Sequence, residues 1–303
     1  MHIDPYIVLG GAIIGLLVGM TGAGGGALMT PMLILLFGVT PAAAISSDLV
    51  ASVVMRPIGA GVHIRARTVN RRLVLLMASG SVPAAILGSY LLSLIGDSKS
   101  DVKNIELILG SALLIGAAAM ALRYALDRRS GEAREDQIHE IVPRPLLTVL
   151  IGIVGGVIVG MTSVGAGSLM IVLLLFAYPS ISAKQLVGTD LTQAVPLTLA
   201  AAIGALIFGK VEFGLTASLI IGSVPAVFIG SLLSSTVPDR YIRPVIAFVI
   251  LASGLKYVGL STAALGWTLS AVLLGGAGFV AYELRGSRQR TPALPSSALD
   301  QRL

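Results

Sequence analysis

Apolar runs of helix length, separated by short polar punctuation, follow one another along almost the whole 303-residue chain. None alternates with a period of two, so the runs predict helices rather than barrel strands. In the first half they cover about 6 to 38, 41 to 64, 70 to 95 and 103 to 124. The second half has about 145 to 178, 181 to 208, 212 to 236 and 241 to 258, followed by one further run at about 262 to 284. The segment from Asp127 to Arg144 is polar and mixed in charge, which predicts a solvated linker, and the Pro-, Ser- and Arg-containing tail from Gly286 predicts disorder.

The first run of each half is too long for one crossing. A single helix over 6 to 38 would extend about 50 Å at 1.5 Å per residue, against a hydrocarbon core of about 30 Å. Gly22, Gly24, Gly25 and Gly26 interrupt it, and each glycine disfavours helix by about 1 kcal/mol relative to alanine. The expectation is a helical hairpin with a glycine turn that leaves on the side it entered.

The halves repeat one another. Val18-Gly19-Met20-Thr21-Gly22-Ala23-Gly24-Gly25-Gly26-Ala27-Leu28-Met29 returns as Val159-Gly160-Met161-Thr162-Ser163-Val164-Gly165-Ala166-Gly167-Ser168-Leu169-Met170, an offset of 141. Gly80-Ser81-Val82-Pro83-Ala84 returns as Gly222-Ser223-Val224-Pro225-Ala226, an offset of 142. Charge sets the expected topology. With each first segment returning to its own side, sixteen of the 21 basic residues fall on one face and only Lys99, Lys103, Lys210 and Lys256 on the other, Arg56 lying within a span. Single crossings would split the same residues eleven against nine. The positive-inside rule selects the hairpin. Each half then makes an odd number of traverses, which inverts one repeat relative to the other.

The expected fold is therefore an all-α integral membrane protein of two inverted repeats, each a glycine-broken helical hairpin plus three transmembrane helices, with one extra C-terminal helix. The boundaries are 1–124 for the first repeat, 125–144 for a cytoplasmic linker, 145–259 for the second repeat, 260–285 for the extra helix and 286–303 for a disordered cytoplasmic tail. The amino terminus is expected outside and the carboxyl terminus in the cytoplasm, across a bacterial inner membrane.

Composition agrees. The chain is 55% hydrophobic and 12% charged, too apolar for a soluble domain. No lysine or arginine precedes the first apolar run, so no cleaved signal peptide is expected. The net charge of +6 sits at span ends, where orientation explains it without nucleic acid. The chain has no cysteine, which excludes thiolate metal sites and thiol redox chemistry carried by this chain. No Ser/His/Asp constellation, metal-ligand spacing or phosphate-binding loop stands out, so neither enzyme activity nor a cofactor is expected.

Three groups of residues carry candidate chemistry. In the glycine turns, Gly22, Gly24, Gly25 and Gly26 with Thr21, and Gly165 and Gly167 with Thr162 and Ser163, leave amides accessible ahead of a helix, which favours an anion. Tight helix packing is the structural alternative. Asp48, in Ser46-Ser47-Asp48-Leu49, matches Asp190, in Gly188-Thr189-Asp190-Leu191. An intramembrane carboxylate costs roughly 2.5 to 3.5 kcal/mol on insertion scales, so the pair either carries a coupling proton or pins neighbouring hairpins. Arg56 has Thr198 at its repeat position, and it engages an anionic substrate, neutralises Asp48 or Asp190, or snorkels to the cytoplasmic face. Gln193, with Thr192 and Thr198, adds polar groups along the equivalent helix.

The Gly19-to-Gly26 run, Gly188-Thr189-Asp190-Leu191, the Gly-Ser-Val-Pro segments and the duplicated layout together resemble the TauE/SafE family of membrane permeases, over roughly residues 8 to 260. The resemblance implies transport of small sulfur-containing anions such as sulfite, sulfoacetate or other organosulfonates, coupled to a proton or sodium gradient. It departs from the family pattern at Ser46-Ser47-Asp48, and the second turn is poorer in glycine. The partners expected are the anion, the bilayer and a coupling ion, with a homo-oligomer allowed. An uncoupled anion channel and a membrane scaffold are the competing readings.

Overall fold

A computed structural model of the chain describes residues 3–21, 25–65, 67–96, 98–129, 142–165, 167, 169–179, 181–233, 239–261 and 263–270. Gly22 and Gly24 lie outside the described residues, as do the tail and the end of the expected extra helix. Among the described residues, ten helices make up the compact unit that ends at Gly259. They are α1 (Pro5–Thr21), α2 (Gly26–Phe37), α3 (Pro41–Arg65), α4 (Arg71–Ser93), α5 (Lys99–Arg129), α6 (Pro145–Thr162), α7 (Leu169–Ala177), α8 (Ala183–Phe208), α9 (Phe213–Leu233) and α10 (Asp239–Tyr257). Beyond that unit, a helix covers residues 263–270, its start capped by the Ser261 hydroxyl accepting from Ala264 N.

Both long first runs are broken where the glycines lie. α1 ends at Thr21 and α2 begins at Gly26; α6 ends at Thr162 and α7 begins at Leu169. Segments of α3, α4, α5, α6, α8 and α9 are long and apolar enough to cross a membrane. Large apolar side chains such as Leu36, Leu75 and Leu146 point outward, as they do where lipid is the solvent. α2 and α7, with 12 and 9 residues, reach only about 18 and 14 Å at 1.5 Å per residue, short of a crossing. α5 continues to Arg129, past the expected start of the linker at 125, because no glycine or proline interrupts Ala117 to Arg129.

Packing explains most of the remaining glycines. Gly11, Gly15 and Gly19 of α1 lie on the backbone of α9 at Leu219, Ser223 and Val227; Gly152, Gly156 and Gly160 of α6 lie on α4 at Met77, Ser81 and Ala85. A Cβ on Gly15 would stand 2.6 Å from the Ser223 carbonyl oxygen, and one on Gly156 2.5 Å from that of Ser81. Lipid tails are as apolar as leucine, so close van der Waals contact between small residues holds such pairs together. Gly222 and Gly230 of α9, and Gly80 and Gly88 of α4, answer from the other side. The Gly-Ser-Val-Pro segments thus serve as packing notches.

The same contacts fix helix directions. Contact positions rise together along α1 and α9, and along α4 and α6, so each pair is parallel. Gln193 bonds Ser81 and Ser89 bonds Ala201, so α8 is parallel to α4. Ser46 touches Gly209 while Gly59 touches Leu191, so α3 and α8 run opposed. α2 returns along α1, with Gly25 beside Val18 and Gly10 beside Phe37; α7 returns along α6, with Met170 beside Gly155 and Tyr178 bonded to Thr148. Two hydroxyls tie the halves together in matching fashion: Asn70 N donates to Thr189 Oγ1 and Glu212 N donates to Ser47 Oγ, both at 3.1 Å.

Candidate functional site

The unit's centre is the crossing of α3 and α8. On α3 the residues Asp48, Ser52, Arg56 and Gly59 recur at helical spacing and so share one face, a polar stripe on an otherwise apolar helix. All three polar members are buried, Arg56 being 8% exposed. The face borders a cavity lined by Val18, Gly19, Gly25, Ser52, Met55, Arg56, Gly59, Leu191, Val227 and Ser231. The space that the centre of a water can occupy there is about 50 Å³, against about 10–15 Å³ for a single water.

Two donors of this wall are uncommitted: neither the Arg56 Nη1 nor the Ser52 hydroxyl has a hydrogen-bond partner among the described residues. A buried group without a partner costs about 1–3 kcal/mol, more when charged. Its persistence on a cavity wall is what a site for an acceptor-rich ligand requires. Gly25 adds a third element. It is the N-cap of α2 and lines the same cavity, so the positive end of the α2 dipole faces the space that Arg56 faces. A Cβ at Gly25 would lie 3.4 Å from the Met55 methyl group, so the bare backbone keeps this corner open.

The two glycine turns meet. Gly26 is so close to the backbone of Ser163 that any side chain there would collide with the Ser163 carbonyl. Ser163 adopts the left-handed region at φ 59°, which sends its hydroxyl to Asp48 Oδ2 at 2.7 Å. Thr30 of α2 donates to the same oxygen at 3.1 Å, and Asp48 Oδ1 is buried without a partner. Asp48 therefore ties α2, α3 and the second half's turn together. Its counterpart is supported differently. At the repeat positions of Ser163 and Thr30 stand Gly22 and Ile171, which offer no hydroxyl. Asp190 instead acts electrostatically on the Arg56 guanidinium, more strongly than Asp48 does.

The other candidates distribute unevenly. The Thr21 hydroxyl donates to Leu17 O at 2.7 Å and that of Thr162 to Ile158 O at 2.6 Å, so both turn back onto their own helices at equivalent places. Gly165 and Gly167 have φ of 118° and 99°, conformations that shape the second turn, but the cavity wall among the described residues comes from the first turn. Gln193 Nε2 donates to Ser81 Oγ at 2.7 Å, joining α8 to α4, and its Oε1 has no partner. Thr198, in the place of Arg56, bonds Ala194 O on its own helix.

Sequence reasoning did not single out Ser52, Met55, Gly59 or Val227. The signal for Ser52 and Gly59 was present in the spacing from Asp48 through Arg56. Val227 needs the fold, since only α1–α9 packing brings it there.

The repeat is visibly unequal at this point. The positions equivalent to Gly19, Ser52, Met55, Gly59 and Val227 are Gly160, Ala194, Leu197, Ala201 and Ala85. Four of these, Ala85, Ala194, Leu197 and Ala201, belong to a packed hydrophobic cluster drawn mainly from α3, α4 and α8.

Comparison with known proteins agrees. The family profile described as "Sulfite exporter TauE/SafE" matches residues 7–257. The chain is 40% identical over 253 residues to "Probable membrane transporter protein YjnA" of Bacillus subtilis (strain 168), covering 83% of this chain and 98% of that protein. It is 21% identical over 249 residues to "Probable membrane transporter protein YdhB" of the same organism, covering 82% and 98%. No solved structure matches. A buried cationic cavity in a bundle whose described residues include six helices able to cross a bilayer, and a family match spanning nearly the whole bundle, lead to one conclusion: the chain belongs to the TauE/SafE family of membrane transporters.

Proposed function

We propose that this transporter carries a small anion, sulfite or a related organosulfonate, across a bacterial inner membrane by alternating access between two inverted repeats, with a proton or sodium ion as the coupled species. The observation that carries the reading is the cavity in which Arg56 Nη1 and Ser52 Oγ, both buried and without partners among the described residues, line the wall together with the N-cap of α2. Three sources of positive potential converge on a space large enough for a small oxyanion and enclosed by apolar side chains that keep the local dielectric low.

The inverted arrangement is supported by helix directions: α1, α3 and α9 run one way and their counterparts α6, α8 and α4 the other. Return of α2 along α1 and of α7 along α6 supports an external amino terminus, given the sixteen-to-four division of basic residues. In this reading Asp48 and Asp190 act on the anion through Arg56, on which both exert an electrostatic pull. Asp190, which acts on Arg56 more strongly than Asp48 does, is the better candidate to couple a proton, since an incoming anion and Asp190 compete for the same guanidinium.

Flux of labelled sulfite in proteoliposomes tests the proposal. A coupled carrier accumulates label in response to an imposed pH or sodium gradient. A channel equilibrates it without that response, and a scaffold moves none; either result would overturn the proposal.

A further inference from the structure

α3 and α4 both pack along α8 but scarcely touch each other, which leaves a groove between them over α8. Gly61 and Ile64 of α3, Val74 of α4 and Thr192 and Pro196 of α8 are among the residues that line it. The space that the centre of a water can occupy there is about 350 Å³, against about 50 Å³ in the Arg56 cavity. A Cβ on Gly61 would meet nothing within 4 Å. The lining suits hydrocarbon rather than water. Its one polar side chain is Thr192, whose hydroxyl already donates to Gly188 O at 2.7 Å, whereas an ordered water needs two to four polar partners.

One end of this apolar groove is strongly basic. The passage from α3 to α4 carries Arg65, Arg67, Arg71 and Arg72, all exposed, and no acidic residue occurs between Asp48 and Asp97. Arg65 stands one turn beyond Gly61, and Arg71 one turn before Val74, so each shares a helix face with a residue of the lining. The link between the helices is pinned in place. Arg67 N donates to Ile64 O at 3.2 Å, the Asn70 side chain accepts from Leu73 N at 3.2 Å, and Asn70 N donates to Thr189 Oγ1 of α8 at 3.1 Å. The second half carries neither feature, since the positions equivalent to Gly61, Arg65 and Arg71 are Ile203, Ile207 and Phe213. We propose that this groove binds an anionic membrane phospholipid, with an acyl chain along Gly61, Val74 and Pro196 and the phosphate at Arg65 and Arg71. Hydrocarbon fills the apolar length, and guanidinium pairing with the phosphate supplies the selectivity for negative head groups. The site is independent of what the Arg56 cavity carries.

Native mass spectrometry of the delipidated full-length protein tests this, by titration with phosphatidylglycerol or with phosphatidylcholine of the same acyl chains. Phosphatidylglycerol is expected to bind at least about tenfold more tightly; equal binding of the two would overturn the proposal. Arg65→Gln combined with Arg71→Gln should abolish the preference, while Lys99→Gln combined with Lys103→Gln, a basic pair elsewhere, should keep it. The opposite pattern would refute the placement of the head group. Gly61→Ile, which gives the position the side chain of its repeat counterpart, should weaken phosphatidylglycerol by about tenfold, and unchanged binding would refute the placement of the chain. Inorganic phosphate should not displace the bound lipid; displacement at equal concentration would show an anion site without a groove and overturn the proposal. The comparison of the two lipids on the native protein decides the matter even where a variant fails to fold.

Discussion

Replacing Ser163 probes the junction between the halves most directly. Its hydroxyl reaches Asp48 Oδ2 at 2.7 Å, Thr30 reaches the same oxygen at 3.1 Å, and Oδ1 has no partner. Ser163→Ala therefore removes the shorter of two hydrogen bonds from a fully buried carboxylate. Hydrogen bonds to charged groups contribute about 1.5–3 kcal/mol, so a loss of about 2 kcal/mol is expected. A control comes from the backbone. Ser163 sits at φ 59°, where a side chain costs about 1–2 kcal/mol and glycine does not. Ser163→Gly thus loses the same hydroxyl but relieves that strain, and should fall only about 1 kcal/mol below the native protein. Equilibrium unfolding in mixed detergent micelles measures both. A double-mutant cycle with Asp48→Asn should return a coupling energy of at least about 1 kcal/mol between positions 48 and 163, in the range of contacting residues. If Ser163→Ala cost less than about 0.5 kcal/mol, or glycine were worse than alanine, the bridging role of Asp48 would be refuted.

Three further outcomes are expected. Arg56→Met should destabilise the protein by about 3–5 kcal/mol, because it leaves a buried carboxyl uncompensated; adding Asp190→Asn should restore stability without restoring flux, and recovery of flux would remove Arg56 from the substrate site. Gly15→Ala, whose Cβ would meet the Ser223 backbone at 2.6 Å, should cost about 1–3 kcal/mol, whereas Gly25→Ala, 3.4 Å from a movable Met55 methyl, should unfold like the native protein; Gly25→Val should abolish flux while remaining folded, and unchanged flux would count against Gly25 as part of the cavity. Single cysteines in this cysteine-free chain test orientation: one at Ser98 should react with an impermeant external reagent and one at Ser130 should not, and the reverse result would invert the proposed topology.

The sequence by itself determined the helices and their breaks. Hydropathy depends on composition over a window, and glycine's cost to a helix is local, so the breaks near Thr21 and Thr162 were legible without coordinates, whereas how far the arms α2 and α7 reach was not. The 141-residue repeat likewise announced the correspondence between α1 and α6 or α4 and α9. What the glycines do was decided by tertiary structure. Gly15, Gly25 and Gly26 look alike in a sequence, yet the first rests on α9, the second opens a cavity and the third touches the other half's turn. The first and third roles depend on which backbone arrives from a segment 130 or more residues away, and the second on how α3 packs beside α2. The same holds for the acidic pair. Asp48 and Asp190 occupy matched positions, but one receives hydroxyls from Ser163 and Thr30 while the other is the stronger electrostatic partner of Arg56. A duplicated sequence fixes equivalent backbones; the electrostatics at their meeting point depend on the few side chains, Ser163, Thr30 and Arg56, at which the copies have diverged.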